Sequence, residues 1–88
     1  MGQERRHVST VTVQLFASYA ELLGASSIEL SLAPGSTVSE LVRKIRLLPG
    51  ASLLPTTPRV AVNRAFASSD QRIDPSDEVA LIPPVAGG

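Results

Sequence analysis

The sequence ends Pro83-Pro84-Val85-Ala86-Gly87-Gly88, and the group in it best suited to chemistry is the terminal carboxylate of Gly88. Gly87 and Gly88 carry no Cβ, so their backbone passes through a channel too narrow for any other residue and takes whatever dihedrals a partner's cleft requires. The two prolines stiffen the root of this segment in an extended form, which reduces the entropy lost on entering such a cleft. Fully extended, the segment reaches about 20 Å. A carboxylate is a poor electrophile. It becomes reactive once an enzyme converts it to an acyl-adenylate, and an unhindered glycine carbonyl is then easy for a nucleophile to approach.

Side-chain chemistry is scarce by comparison. There is no cysteine and a single histidine, His7, which excludes disulfide staples, zinc fingers, iron–sulfur clusters and thiol nucleophiles, and leaves no metal site to propose. Ser18, Ser26, Ser27, Ser36, Ser68 and Ser69 have neither a nearby histidine nor a nucleophile-elbow pattern, so no hydrolase is visible. Eight Lys and Arg balance eight Asp and Glu, so the formal charge is zero and no field steers a polyanion; with only Phe16, Tyr19 and Phe66 as aromatics, nucleic acid is excluded as a partner. Asp70, Asp74, Asp77 and Glu78 read as solvated turns, and Arg43, Lys44 and Arg46 as the wet face of a helix. No apolar run approaches the roughly 20 residues that span a bilayer. Met1 to His7 lacks the apolar core of a signal peptide and reads as a disordered leader, so the expected compartment is the cytoplasm.

An 88-residue chain makes one domain. We expect a leader over 1–7, a folded domain over 8–82 and a functional tail over 83–88. Val8 to Ala17 alternates as a half-buried strand, with Val11, Val13 and Leu15 on one face and Thr12, Gln14 and Phe16 on the other. Ser18 is placed to cap a short helix through Leu23, stopped by Gly24. Ser27 to Leu32 alternates again and pairs back on the first strand. Thr37 with Glu40 forms a capping-box pattern ahead of a helix whose stripe is Val38, Leu41, Val42, Ile45 and Leu48. Leu48 to Pro58 reads as a Pro-rich loop. Arg59 to Val62 is a short strand, Asn63-Arg64 a turn, and Ala65 to Ala67 a brief extended segment. Asp74 to Asp77 carries the Asp-Pro start of a type I turn that launches a last strand from Glu78 to Ile82, with Val79 and Leu81 inward. One main helix for one mixed sheet defines an α+β roll.

Leu15-Phe16-Ala17, Glu21-Leu22-Leu23-Gly24, Thr37-Val38, Ala61-Val62-Asn63, Asp77-Glu78-Val79-Ala80 and the ending Ile82 to Gly88 together resemble the ubiquitin-like sulfur carriers, in particular the small subunits of molybdopterin synthase. The resemblance runs from about Val11 to Gly88. It implies a ubiquitin-like β-grasp with a C-terminal Gly-Gly tail. It also implies that an E1-like adenylating enzyme uses ATP on the Gly88 carboxylate, that a sulfur donor converts it to a thiocarboxylate, and that the sulfur passes to cyclic pyranopterin monophosphate in molybdenum cofactor biosynthesis. Catalytic residues are then expected on the large subunit, into which Pro84, Val85, Ala86, Gly87 and Gly88 insert, and no cofactor is expected on this chain. A dimer of heterodimers follows from the family alone.

Parity along the strands points to the docking face. Phe16 and Ile82 fall on the side away from the core, and with Phe66 they form a candidate apolar patch near the tail's root. The resemblance places the large-subunit contact at the same three positions. Two other readings share the Gly-Gly end: a sulfur carrier for thiazole or cysteine synthesis, and a ubiquitin-like protein modifier. Ala86 stands where the family often has Thr or Ser, so a tail hydrogen bond made by that hydroxyl is absent here.

Overall fold

Strand β1, Ser9–Leu15, buries Val11, Val13 and Leu15 and exposes the residues between them, as a strand with one wet face must. The structure, a computed structural model, describes residues 9–84; Val8, the 1–7 leader with His7, and Val85, Ala86, Gly87 and Gly88 lie outside the described residues. Helix α1 is Ala17–Leu23, and β2, Ser27–Leu32, runs antiparallel to β1 with Val13 opposite Ile28 and Val11 opposite Leu30. Helix α2, Val38–Ile45, leads through a single 3₁₀ turn, Ala51–Leu53, to β3, Arg59–Val62, the two-residue β4, Ala65–Phe66, and β5, Val79–Ile82.

The sheet order is β2-β1-β5-β3-β4. The first and last strands are therefore neighbours in its middle and run parallel, Val13 beside Val79 and Leu15 beside Leu81. Since β2 and β3 each run antiparallel to this central pair, they are parallel to one another, and the connection between them has to cross the sheet; α2 is that crossover. This is the expected mixed sheet on one main helix. Leu41, Ile45, Leu81, Val11, Val13 and Val79 are the largest fully buried side chains, so helix and central strands share one core.

The start of α2 is closely specified. The Thr37 hydroxyl accepts from the Glu40 backbone N–H at 3.3 Å while the Glu40 carboxylate accepts from the Thr37 N–H at 2.8 Å, the reciprocal capping box the sequence predicts. The N–H groups of Val38 and Ser39 donate to the carbonyls of Gln71 and Ser69, so further donors at this helix end find backbone partners on a distant loop. Lys44 on the wet side donates to the Ser31 carbonyl at 2.8 Å and ties the helix to β2.

Four local expectations are corrected. Ser18 does not cap α1: the helix begins at Ala17, and the extended Phe16 is its N-cap with no side-chain bond. The chain leaves β1 so abruptly that Ala17 takes φ 48°, and the Phe16 carbonyl receives the N–H groups of Tyr19 and Ala20 directly, leaving Ser18 inside the first turn. Helix α2 stops at Ile45, so Leu48 packs against the core from beyond the helix rather than from its stripe. Glu78 precedes the last strand, its carbonyl taken by the Asn63 N–H. The Pro-rich loop is not all irregular: its 3₁₀ turn buries Ala51, and Leu54 just beyond it is buried too.

That loop is locked by Gly50. Its φ is 86°, and a Cβ there would collide with the Leu22 carbonyl oxygen at the end of α1. Gly50→Ala should therefore lower stability by about 2 kcal/mol or more, one part left-handed backbone strain and one part displacement of a main-chain oxygen. Urea denaturation of the two proteins measures the difference.

Candidate functional site

The site begins where β5 leaves the sheet. Val79 and Leu81 point into the core and are completely buried, and β5 is held on one side by β1 and on the other by β3, with Leu81 opposite Val60 and Ile82 opposite Arg59. Pro83 and Pro84 have no N–H to donate, so the ladder ends there and the chain passes from half-buried Pro83 to exposed Pro84. Whatever follows Pro84 starts from the centre of the sheet's edge, at a point the two neighbouring strands position rigidly.

Phe66 and Ile82 come together at this root. Ile82 lies across from Arg59, whose guanidinium sits 4.9 Å from the centre of the Phe66 ring. Phe66, Ile82, Pro83, Pro84 and the side chains of Tyr19 and Pro58 line one cleft of about 400 Å³. Phe66 is 63% exposed. Phe16, 46% exposed, does not line that cleft; it extends β1 by one residue beyond Leu15, which is paired with Leu81, and so lies level with Ile82 at the same end of the sheet. Burial pushes the pKa of the Tyr19 phenol up.

The residue that sequence reasoning missed is Arg59. Its alternation with Val60 and Val62, both inward, puts it on the outer face beside Ile82, so the period-two pattern of β3 is the signal in the sequence that marks it.

The start of β5 is fixed by a second device, which joins two turns distant in sequence. Asn63 and Arg64 both have positive φ, 53° and 70°, and form the two-residue turn between β3 and β4. The Asn63 amide donates to Asp77 Oδ1 at 3.0 Å, its carbonyl oxygen accepts from the Glu78 N–H at 2.9 Å, and its own N–H donates to the Glu78 carbonyl at 2.7 Å. Asp77 Oδ2 accepts from the Asp74 N–H at 2.8 Å, closing the turn before β5. The exposed Arg64–Glu78 pair adds little to this.

The Asp74 N–H, and after it the Asn63 amide, hold the Asp77 carboxyl below the usual carboxylate range. A pKa lowered by folding contributes stability that is complete above the unfolded value, about 3.9, and is lost as pH falls through the folded value. Thermal melts from pH 7 to pH 2 should show this: Asp77→Asn loses stability at neutral pH and falls less steeply below about pH 4 than the parent chain.

Among the described residues no group of three or more His, Asp or Glu is placed to hold a metal ion, and no helix is long and apolar enough to cross a membrane. What the described site can do is present a rigid root, an aromatic and aliphatic patch, and the segment beyond Pro84.

A five-stranded mixed sheet with its first and last strands parallel at the centre and one crossover helix defines a ubiquitin-like β-grasp domain. The chain belongs to the ThiS family, whose model matches residues 13–88. It is 39% identical over 80 residues to a molybdopterin synthase sulfur carrier subunit of Dictyostelium discoideum, covering 86% of this chain and 93% of that one. It is 29% identical over 79 residues to the Arabidopsis thaliana protein of the same name, covering 89% and 82%. Among solved structures it is similar to SAMP1, a small archaeal modifier protein of Haloferax volcanii, with 25% identity, a TM-score of 0.77, and coverage of 91% of this chain and all of that one. It shares its fold with a chain in the complex of subunits 1 and 2 of the Helicobacter pylori molybdopterin-converting factor, with 19% identity, a TM-score of 0.67, and coverage of 90% and 99%.

Proposed function

We propose that this chain is the sulfur-carrier subunit of a molybdopterin synthase. The observation that carries the reading is the identity with the Dictyostelium carrier over nearly the whole length of both chains. The exit of β5 from the centre of the sheet supports it, because a carrier must hold its terminal segment clear of its own fold. In this reading a carboxylate oxygen of Gly88 attacks the α-phosphorus of ATP on an E1-like adenylating enzyme and pyrophosphate leaves. A sulfur donor supplies a hydrosulfide equivalent that displaces AMP and leaves a thiocarboxylate. Pro84, Val85, Ala86, Gly87 and Gly88 insert into a large catalytic subunit, the sulfur passes to cyclic pyranopterin monophosphate, and water at the acyl carbon returns the carboxylate. Phe16, Phe66 and Ile82 form the docking patch, the assembly is a dimer of heterodimers, and the compartment is the cytoplasm. The Helicobacter complex, a chain of the same fold with a subunit 2, supports the large-subunit partner.

Intact-mass measurement after incubation with the organism's adenylating enzyme, ATP and a sulfur donor should show one oxygen replaced by sulfur, on a C-terminal fragment. Deleting Gly88 should abolish that change and all sulfur transfer while leaving association with the large subunit largely intact. No mass change with enzymes active on another carrier would defeat the reading.

Docking has its own measurement. Phe66→Ser removes an exposed ring, so the fold should hold while affinity for the large subunit, read by calorimetry, drops at least about tenfold.

The likeness to SAMP1 favours one second reading, a modifier joined through Gly88 to lysines. Adenylation is common to both, and only the acceptor differs. Lysines bearing a Gly-Gly remnant in digests of cell protein would support it.

A further inference from the structure

On the side of Phe66 away from the tail's root a second and larger depression, about 780 Å³, runs between α2 and the β3–β4 edge. Its floor is apolar: Val38 and Val60 are buried beneath it, Val42 and Ala67 are half-buried, and the Phe66 ring forms one wall. Its rim is basic. Arg43 projects from α2, Arg46 from the residue that caps its C-terminal end and Arg59 from β3, and no Asp or Glu lines it. In a chain of zero net charge this is a marked separation, since the acidic residues of the 70–78 segment lie outside the groove.

The three arginines are differently held. Arg46 donates to the carbonyls of Leu54 and Pro55 at 3.3 and 2.8 Å, which draws the Pro-rich segment against the helix and builds the far wall. Arg59 is stacked on Phe66 at 4.9 Å. Among the described residues the ion pair is Arg64 with Glu78, and no described carboxylate is paired with Arg43, Arg46 or Arg59. Ser39, Thr56, Thr57 and Ser69 add hydroxyls along the length of the groove. Guanidinium groups beside an apolar trough bind carboxylates while the trough takes the carbons between them. The volume suits a few side chains of an extended strand of peptide rather than a helix, and the charge selects the sign of the partner.

We propose that the groove between α2 and the β3–β4 edge docks an extended acidic peptide segment of a protein partner, with one or two branched aliphatic side chains on the Val42–Ala67 floor against the Phe66 wall and carboxylates on Arg43 and Arg59. The proposal stands on the charge and shape of the groove and does not depend on the sulfur-carrier reading. The groove shares Phe66 and Arg59 with the Ile82 cleft and extends from them along α2 through Val42 and Arg43, which do not line that cleft.

The probe is the acetylated and amidated hexapeptide Asp-Val-Ile-Glu-Val-Asp, titrated into the full-length, isotope-labelled chain and followed by amide chemical shifts. Shifts confined to Val42, Arg43, Arg59, Phe66, Ala67 and their neighbours are expected, with affinity that weakens as salt is raised. The Asn/Gln analogue should bind at least tenfold more weakly, and so should the acidic peptide to the Arg43→Ser/Arg59→Ser variant, whose unchanged melting temperature would show an intact fold. Equal binding of acidic and neutral peptides, shifts at the Ile82 cleft instead, no binding at millimolar peptide, or shifts that appear with protein concentration alone and so mark self-association, would each overturn the proposal.

Discussion

The parallel pairing of β1 with β5 at the centre of the sheet is the constraint on which the rest of the structure depends. Two strands from opposite ends of the described chain can lie side by side only if everything between them folds outward and returns, so β2, α2, β3 and β4 are disposed around that pair. Val13 and Val79, neighbours in register, are both completely buried, as is Leu81, and α2 covers them with Leu41 and Ile45. The apolar contacts that make the core thus also determine where the chain leaves the sheet. The exit at Ile82-Pro83-Pro84 has the rigidity of the core behind it, because shifting β5 by one residue would turn Val79 and Leu81 to solvent.

Polar groups finish what the core begins. The Asn63–Asp77–Glu78 hydrogen bonds join the hairpin turn of β3 and β4 to the turn that launches β5, so the edge carrying Phe66 and the strand carrying Ile82 are held in one frame. Phe66 and Arg59 then divide the surface at this edge. On one side lies the cleft at the tail's root, apolar and built from Ile82, Pro83 and Pro84; on the other lies the basic groove under α2. One aromatic ring with a cation over it serves as the wall between two surfaces of different character.

Much of this was legible in the residues. Alternation marked Val11, Val13 and Leu15 as inward, the Thr37–Glu40 spacing marked the helix start, and Asn63-Arg64 marked a turn, because each rests on groups at most a few residues apart. Ser18 misled, since helix α1 starts where the chain can turn off β1 and Phe16's own carbonyl serves the first N–H groups. The place of Arg59 in the site was not legible, because it comes from Phe66 and Ile82, one on each neighbouring strand.

By itself, then, the sequence determined the periodicities, the caps and turns, the lack of thiol chemistry and the Gly-Gly ending, all of which are properties of composition or of short-range geometry. Tertiary structure alone decided that β1 and β5 are neighbours, that Asn63 reaches Asp77, that Gly50 must stay bare beneath Leu22, and that three arginines gather beside Val42 and Phe66. Such contacts depend on how the one apolar core closes, and closure joins residues whose separation along the chain carries no local signal.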